Sequence, residues 1–184
     1  RIGREFLSAG LGYGGSCFPK DVKALIQIGC NNGENVDILK AVDNRNRLQT
    51  DLFLEKFNHK FNQNLKDKTF GIWGLSFKPE TNDVRNASSI IIIKALLDAG
   101  AKVKVYDPRA NVRNIFADEV EDFKDKYDVL TGSDALLVLT EWEEFKNPDF
   151  EKIKKLLKTL LIFDGRNIYD KSELTKYGFE YYSV

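Results

Sequence analysis

One cysteine of the chain lies in a glycine-rich run whose residue types could support nucleophilic chemistry. The run reads GYGGSCFPKD over residues 12–21, so the Cys17 thiol is followed by the Lys20 ammonium and the Asp21 carboxylate. Glycines let a backbone approach a ligand closely, while a nearby cation and a helix beginning near Asp21 favour the thiolate. The residues alone leave two interpretations open. Cys17 is either a nucleophile with an activator and a proton acceptor, or a small buried cysteine in a tight turn, with Asp21 as a helix cap.

The charges of the chain balance, with 28 Lys and Arg against 28 Asp and Glu. This balance argues against nucleic acid or an anionic membrane as a partner. The longest apolar run, residues 90–93 with 95–97 beyond one lysine, is far shorter than the ~20 residues that cross a bilayer. Two cysteines, Cys17 and Cys30, are few enough to fit a reducing compartment, and we expect a cytoplasmic protein with no metal site.

The elements that position this run fall into two zones, and the first is helical. A helix is predicted from Asp21 to Gln27, with Gly29 ending it. A longer helix follows, capped by Asn35 and continuing to Asn58, with apolar residues on mixed faces that suit packing against two neighbours. We take residues 1–64 as this first zone.

From Thr69 onward, the pattern alternates between strand and helix. Strands are predicted at residues 70–75, 102–106, 135–139, 160–163 and 179–182, and helices at 88–99, 148–158 and 172–177. The predicted fold class is therefore α/β, with a helical segment followed by a Rossmann-like sheet of about five parallel strands over residues 65–184.

Two cations follow two of the predicted strands. Lys78 comes shortly after the first strand and Arg166 shortly after the fourth, so both lie at the carboxyl edge, where such sheets bind ligands. Each alone fits a surface charge or a local hydrogen bond, such as one from Arg166 to Asp164. Together they favour a site that neutralises a diphosphate.

Three blocks of sequence resemble, in order, motifs of the UDP-glucose 6-dehydrogenase family, within the UDP-glucose/GDP-mannose dehydrogenase superfamily. The blocks are RIGREFLSAGLGYGGSCFPKD at residues 1–21, GLSFKPETNDVR at 74–85 and FDGR at 163–166. No G-x-G-x-x-G fingerprint follows a strand, and the chain lacks methionine. We therefore expect the carboxy-terminal portion of a longer enzyme whose amino-terminal domain binds NAD.

The resemblance implies a role for each matching residue. Cys17 would be the nucleophile, and Asp21 would act as a base or order the hydrolytic water. Lys20 would stabilise negative charge or touch NAD, and Arg85 would contact NAD. The positions that match substrate-binding residues are Arg1, Phe6, Leu7, Ser8, Ala9, Gly10, Gly12, Tyr13, Gly14, Phe77, Lys78 and Arg166.

The reaction implied by the resemblance is a four-electron oxidation of UDP-glucose to UDP-glucuronate. It uses NAD twice and proceeds through a thiohemiacetal and a thioester on Cys17. The resemblance also implies a homodimer formed through the long helix. Two alternatives stay open: a dehydrogenase of a related nucleotide sugar, such as UDP-N-acetylmannosamine or GDP-mannose, or a nucleotide-sugar-binding and dimerisation module without turnover in the isolated chain.

Overall fold

A computed structural model describes residues 8–184 of the chain. Arg1, Phe6 and Leu7, three of the positions matched to substrate-binding residues, lie outside the described residues. Their roles therefore stay predictions.

The centre of the fold is a parallel sheet of six strands. The strands are β1 (Thr69–Trp73), β2 (Lys102–Tyr106), β3 (Val120–Asp122), β4 (Ala135–Val138), β5 (Leu161–Asp164) and β6 (Glu180–Ser183). They follow the order β3-β2-β1-β4-β5-β6 with every pairing parallel, which confirms the Rossmann-like α/β class. The sequence analysis predicted about five strands, one fewer than the six in the structure. Strand β3 has only three residues, of which Val120 alone is buried, so it carries no alternating pattern.

Helices flank this sheet and also precede it. They are α1 (Phe18–Asn31), α2 (Asp37–Lys60), α3 (Ser88–Asp98), α4 (Arg113–Phe116), α5 (Glu143–Lys146), α6 (Phe150–Leu156) and α7 (Lys171–Tyr177). The one-turn helices α4 and α5 are too short for helical periodicity, and the sequence analysis did not predict them.

Two apolar layers cover the two faces of the sheet. On one face, Phe53 and Phe57 of α2 pack with Phe70 of β1 and with α3. On the other face, Trp73 stacks on Phe145 with ring centroids 5.2 Å apart. Neighbouring residues of one strand thus serve opposite layers, as the two-residue period of a strand requires. The second half of α2 is fixed to the sheet by this packing.

Helix α1 is longer at both ends than the sequence predicted. It begins at Phe18, directly after the cysteine, and runs through Gly29 to Asn31. The predicted stop at Gly29 is wrong because this glycine serves packing: a Cβ there would lie 2.3 Å from Cγ1 of Val36. The chain turns later, at Gly33, where φ is +72°.

Helix α2 begins two residues after the expected cap. Its N-cap is Val36, which makes no side-chain capping bond, so the prediction of Asn35 as N-cap is wrong by one residue. The Asn35 side chain still accepts a hydrogen bond from the backbone N–H of Asp37 at 2.9 Å. The helix continues to Lys60, slightly beyond the predicted end at Asn58.

Strand β1 ends earlier than predicted because Asp107, at the end of β2, binds the chain that follows it. Gly74 turns the backbone with a φ of +91°, and the N–H groups of Leu75 and Ser76 then donate to Asp107 at 2.7 and 3.1 Å. The indole N–H of Trp142 donates to the same carboxylate at 3.2 Å. Asp107 thereby ties the ends of three neighbouring strands together at the carboxyl edge.

Candidate functional site

The glycine loop, which we define as residues 8–16, is anchored to the carboxyl edge of the sheet by Leu11. This side chain is 1% exposed and belongs to the apolar layer of α2 and α3. Its carbonyl accepts hydrogen bonds from the hydroxyls of Thr50 on α2 at 3.3 Å and Ser88 at the start of α3 at 3.1 Å. A Cβ on Gly165 would lie 2.5 Å from Leu11 Cδ1, so only glycine leaves room for it there.

Asn46 of α2 holds the next part of the loop with two hydrogen bonds. Its Oδ1 accepts from the N–H of Tyr13 at 2.7 Å, and its Nδ2 donates to the carbonyl of Tyr13 at 3.0 Å. Gly12 has a φ of +102°, and a Cβ there would lie 2.5 Å from Asn46 Oδ1. This glycine is therefore required by both conformation and space. Sequence reasoning missed Asn46 because it lies 33 residues away on another element.

The loop then contacts the signature loop, which we define as residues 74–87. The N–H of Gly15 donates to the carbonyl of Arg85 at 2.9 Å, and the Asn86 amide donates to the carbonyl of Gly15 at 3.2 Å. A Cβ on Gly14 would lie 2.4 Å from the Asn86 carbonyl oxygen, and one on Gly15 would lie 2.9 Å from the Phe77 ring. The first two motifs of the sequence analysis thus form one surface, with Phe77 packed against the glycine loop.

Cys17 is the N-cap residue of α1, and its side chain is exposed. The alternative of a small buried cysteine does not fit this position. The thiol lies at the positive end of the α1 dipole, with the Ser16 hydroxyl 3.7 Å from Sγ. Cys30 lies at the far end of the same helix, about 20 Å away, and both thiols are free. Asp21 is not the N-cap; its N–H makes the first intrahelical hydrogen bond, to the Cys17 carbonyl.

Two cations lie near the thiol, and each has its own carboxylate. Lys20 pairs with Asp21 at 2.9 Å, and this hydrogen bond raises the pKa of Lys20. Arg85 makes a two-pronged contact with Asp83 at 2.9 and 2.7 Å, which lowers the pKa of the Asp83 carboxyl and raises the pKa of Arg85. The charge of a Cys17 thiolate adds a smaller contribution that raises the pKa of both cations. The thiol therefore lies beside two exposed ion pairs on an open surface.

The two cations predicted to face a diphosphate differ in environment. Lys78 is exposed, and its ammonium lies 5.5 Å from the ring centroid of Phe77. The Arg166 side chain is only 16% exposed, and its Nη2 contacts Glu141 Oε1 at 2.6 Å. The sequence suggested Asp164 as a partner of Arg166, but it is the backbone N–H of Arg166 that Asp164 binds, at 2.8 Å. The sequence analysis did not identify Glu141 as this partner because Glu141 follows β4, whereas Arg166 follows β5.

The rest of the predicted substrate-binding run borders this edge. Ser8 and Ala9 are exposed, and the Ala9 carbonyl accepts from the Asn167 amide at 3.4 Å. Gly10 lies against Arg166, since a Cβ there would be 3.0 Å from Nη1 of that arginine. The glycine loop thus runs beside Arg166 at one end and ends at Cys17 at the other.

Asp164 fixes the turn that carries Gly165 and Arg166. Besides the Arg166 N–H, its buried carboxylate accepts from the N–H groups of Ile168 and Tyr169 and from the Tyr181 hydroxyl, at 2.8, 3.2 and 2.8 Å. Burial raises the pKa of Asp164, and these hydrogen bonds oppose the shift. Of the FDGR block, aspartate therefore orders the turn and arginine supplies the charge.

The described residues fit a nicotinamide cofactor only in part. In dinucleotide-binding sheets, an acidic residue after the second strand binds a ribose, and the ligand lies where the strand order reverses. Here Asp107 occupies that acidic position but is bonded to Leu75, Ser76 and Trp142. Leu11 is buried beside the turn that follows β5. The sheet is thus no dinucleotide cradle, whereas the exposed Lys20 and Arg85 suit contact with a cofactor held by other residues. Over residues 8–184, no group of three or more His, Cys, Asp or Glu could hold a metal ion.

The fold and this edge define an α/β protein of the Rossmann-like class with basic residues at the carboxyl edge and an exposed cysteine on the adjoining loop. Residues 71–171 match the UDP binding domain of the UDP-glucose/GDP-mannose dehydrogenase family, and residues 1–48 match the central domain of that family. The chain belongs to the UDP-glucose/GDP-mannose dehydrogenase family, as the resemblance of its three blocks implied.

Relatives and solved structures agree with this assignment. The chain is 40% identical to a UDP-glucose 6-dehydrogenase of Pseudomonas aeruginosa and 42% identical to UDP-glucose 6-dehydrogenase TuaD of Bacillus subtilis, over its whole length in both cases. It spans 42% and 40% of the length of these relatives. A UDP-glucose dehydrogenase from Pyrobaculum islandicum matches with a TM-score of 0.85 at 31% identity, covering 100% of this chain and 40% of that one. A UDP-D-ManNAc dehydrogenase from Pyrococcus horikoshii matches with a TM-score of 0.79 at 25% identity, covering 95% of this chain and 39% of that one.

We expect Asn46→Ala to release the glycine loop, because both bonds to Tyr13 are lost. Each half-buried hydrogen bond contributes about 0.5–1.5 kcal/mol, so the free energy of unfolding should fall by about 1–3 kcal/mol. Urea-induced unfolding measures this change. Asn44→Ala is the matched control, since the exposed Asn44 side chain accepts a hydrogen bond from the exposed Arg47 within its own helix, and its effect should stay within about 0.5 kcal/mol. Equal effects of the two variants would contradict the anchoring role of Asn46.

Proposed function

We propose that this chain is part of an enzyme that oxidises UDP-glucose to UDP-glucuronate with NAD. One observation carries the proposal: the glycine loop joins the exposed Cys17 to the edge where Arg166 lies, and the signature loop with Arg85 packs against it. An exposed thiol and the edge that carries Arg166 would thereby be parts of one active surface. Whole-chain identity of 40% and 42% to UDP-glucose 6-dehydrogenases supports UDP-glucose as the sugar.

The substrate would lie along the glycine loop. Arg166 and Lys78 would neutralise its diphosphate, with the arginine able to donate paired hydrogen bonds to phosphate oxygens. Gly10, Gly12 and Gly14 let the loop backbone lie close to Arg166, Asn46 and Asn86, respectively, and so fix its path along this edge. This arrangement would direct the sugar toward the end of the loop that carries Cys17.

Cys17 explains how one site could carry out two successive oxidations. When bound, the nicotinamide cofactor supplies the hydride acceptor for each two-electron step. After C6 of the sugar has lost a hydride and its hydroxyl a proton, the thiolate forms a bond to the aldehyde carbon, and the oxygen takes up a proton to give a thiohemiacetal. Loss of a second hydride from C6 and of the hydroxyl proton leaves a thioester on Cys17. Covalent capture keeps the aldehyde from escaping.

Hydrolysis would then release the product. Water adds to the thioester carbon, the carbon–sulfur bond breaks, the acid leaves as a carboxylate and Cys17 returns as a thiolate, with both protons of the water passing in the end to solvent. Asp21, one helical turn beyond Cys17, would accept a proton from this water or order it. Lys20 and Arg85, which lie near the thiol, would stabilise negative charge that develops during the reaction and contact the cofactor.

The rest of the enzyme would supply what this chain lacks. We propose an amino-terminal domain that holds most of the NAD, a cytoplasmic location, and a division of this chain into residues 1–64 and 65–184. No helix within residues 8–184 is long and apolar enough to cross a membrane.

A related nucleotide sugar, such as UDP-N-acetylmannosamine or GDP-mannose, is the other candidate substrate. Calorimetric titration of the full-length protein with UDP-glucose, UDP-N-acetylmannosamine and GDP-mannose tests the choice, and preferential binding of either of the last two would overturn UDP-glucose.

A homodimer through α2 is also part of the proposal. The helix exposes a row of large apolar side chains, at Ile38, Val42, Leu48 and Leu52. An open pocket beside the glycine loop has Ile38 and Val42 in its wall. Clustered apolar side chains that no part of a monomer covers are typical of association surfaces.

Cys17→Ser in the full-length enzyme should abolish net turnover. Serine is a weaker nucleophile than a thiolate and its ester hydrolyses less readily than a thioester, so steady-state NADH production should fall at least about a hundredfold. A covalent or slowly released intermediate should accumulate, which intact-protein mass spectrometry detects. Cys30→Ser, at the other end of α1, is the matched control and should leave turnover unchanged. Near-normal activity of Cys17→Ser would remove this residue from the mechanism.

Lys78→Ala and Arg166→Ala should weaken UDP-glucose binding, whereas Arg85→Ala should act on the cofactor. Loss of a charge-assisted hydrogen bond to a phosphate costs about 1.5–3 kcal/mol, or roughly a tenfold to hundredfold rise in Kd. Arg85→Ala should instead raise the KM for NAD with little change in UDP-glucose affinity. Calorimetry and NAD kinetics on the full-length enzyme separate the two groups. Loss of sugar binding in Arg85→Ala together with none in Lys78→Ala would refute this division.

The double substitution Ile38→Asp, Val42→Asp should shift the full-length protein toward monomers, because two carboxylates would have to be buried in the interface. Sedimentation velocity measures the change. Ile115→Asp is the matched control, since this isoleucine is similarly exposed but lies on α4, away from α2. A wild-type protein that sediments as a monomer, or a double variant that stays dimeric, would exclude α2 as the interface.

A further inference from the structure

Arg166 and Glu141 form an ion pair that the reaction outlined above does not use. Their strands β5 and β4 are neighbours, with Val138 paired to Asp164, so Glu141 and Arg166 follow the paired positions by only a few residues. The two side chains are 16% and 28% exposed, and Nη2 lies 2.6 Å from Oε1. By contrast, the nearby pair of Glu143 and Lys146 lies on the surface, at 81% and 43% exposed. Shielding from water makes the inner pair the stronger interaction.

The contact between the two side chains does not satisfy all of their polar atoms. Arg166 Nε and Glu141 Oε2 are buried, and neither finds a hydrogen-bond partner within the part of the chain that the structure describes. A fully two-pronged pair would have used two donors and both carboxylate oxygens. Glu141 thus binds Nη2 of the guanidinium and leaves the Nε donor unused.

The glycine loop restricts the guanidinium from another side. A Cβ on Gly10 would lie 3.0 Å from Arg166 Nη1 and 3.2 Å from Cζ, so the guanidinium lies directly against the loop backbone. Nη2 is thus turned to Glu141, and Nη1 is turned to the loop along which the substrate would lie. Two contacts in different directions limit the rotamers that this long side chain can adopt.

We propose that Glu141 is a positioning residue for Arg166, a role that rests on the proposed function. Its carboxylate holds Nη2 and so presents the Nη1 side of the guanidinium to the diphosphate of the nucleotide sugar. A preorganised arginine loses less rotamer freedom when the ligand binds, which increases affinity. The negative charge of Glu141 also weakens the attraction between Arg166 and an anionic ligand. Orientation and charge therefore act in opposite directions, and substitutions can separate them.

Calorimetric titration of the full-length protein with UDP tests this role. Glu141→Ala frees the guanidinium, and the Kd for UDP should rise about tenfold. Glu141→Asp keeps the charge but is too short to maintain the contact, so it should weaken binding similarly. Glu141→Gln keeps an acceptor without the charge and should bind UDP at least as tightly as the wild type. Glu143→Ala, at an exposed glutamate two residues away, should change nothing.

A double substitution decides whether Glu141 acts through Arg166. In an Arg166→Ala background, adding Glu141→Ala should cause no further loss of UDP affinity. A further tenfold loss in that background would assign Glu141 a general structural role and overturn the proposal. Wild-type affinity in both Glu141→Ala and Glu141→Asp would also overturn it while leaving the proposed function intact, since UDP would still bind. A wild-type protein that binds neither UDP nor UDP-glucose would overturn both. If Glu141→Ala does not fold, the opposite effects of Glu141→Gln and Glu141→Asp on UDP affinity still test the positioning role.

Discussion

The burial of Leu11 is the constraint on which the rest of the site depends. This one residue is held by the apolar layer, by hydroxyls from α2 and α3, and by the gap that Gly165 leaves after β5. Once Leu11 is fixed, the loop must pass so close to α2 and the signature loop that Gly12, Gly14 and Gly15 have no space for a side chain. The glycines are thus consequences of close packing, and the path they allow leads from Arg166 to Cys17.

This anchoring also changes how a Rossmann-like sheet is used. In a dinucleotide-binding sheet, the crevice where the strand order reverses holds the ligand, and the acid after β2 binds a ribose. Here Asp107 is bonded to backbone N–H groups and Trp142, and the chain's own Leu11 is buried beside the turn after β5. Lys78 and Arg166 lie at this edge, the arginine paired with Glu141. The same strand order therefore yields an edge whose acidic position is already bonded to the chain itself.

The sequence was sufficient for features that depend on local patterns and insufficient for those that depend on distant contacts. Alternating strands and helices predicted the parallel sheet, and the position of Arg166 after a strand predicted its place at the carboxyl edge. Asn46 and Glu141 escaped prediction because their partners lie 33 and 25 residues away, and no local pattern marks such pairs. Gly29 was misread for a related reason: it looks like a helix stop, yet its role is contact with Val36.

Exposure of Cys17 has a consequence for the chemistry. Oxidation through a thioester requires that water be excluded until hydrolysis, and reactive intermediates are protected only in closed sites. Yet α1, the helix that carries this thiol at its N-cap, buries none of its residues among those described, and Leu25 and Ile28 on it are 53% and 58% exposed. An amphipathic helix whose apolar side chains are exposed is typical of a surface that packs against another part of a protein. The surface that covers α1 would then also close over the thiol, so the proposed chemistry and the proposed assembly of this chain with further parts of an enzyme depend on the same contact.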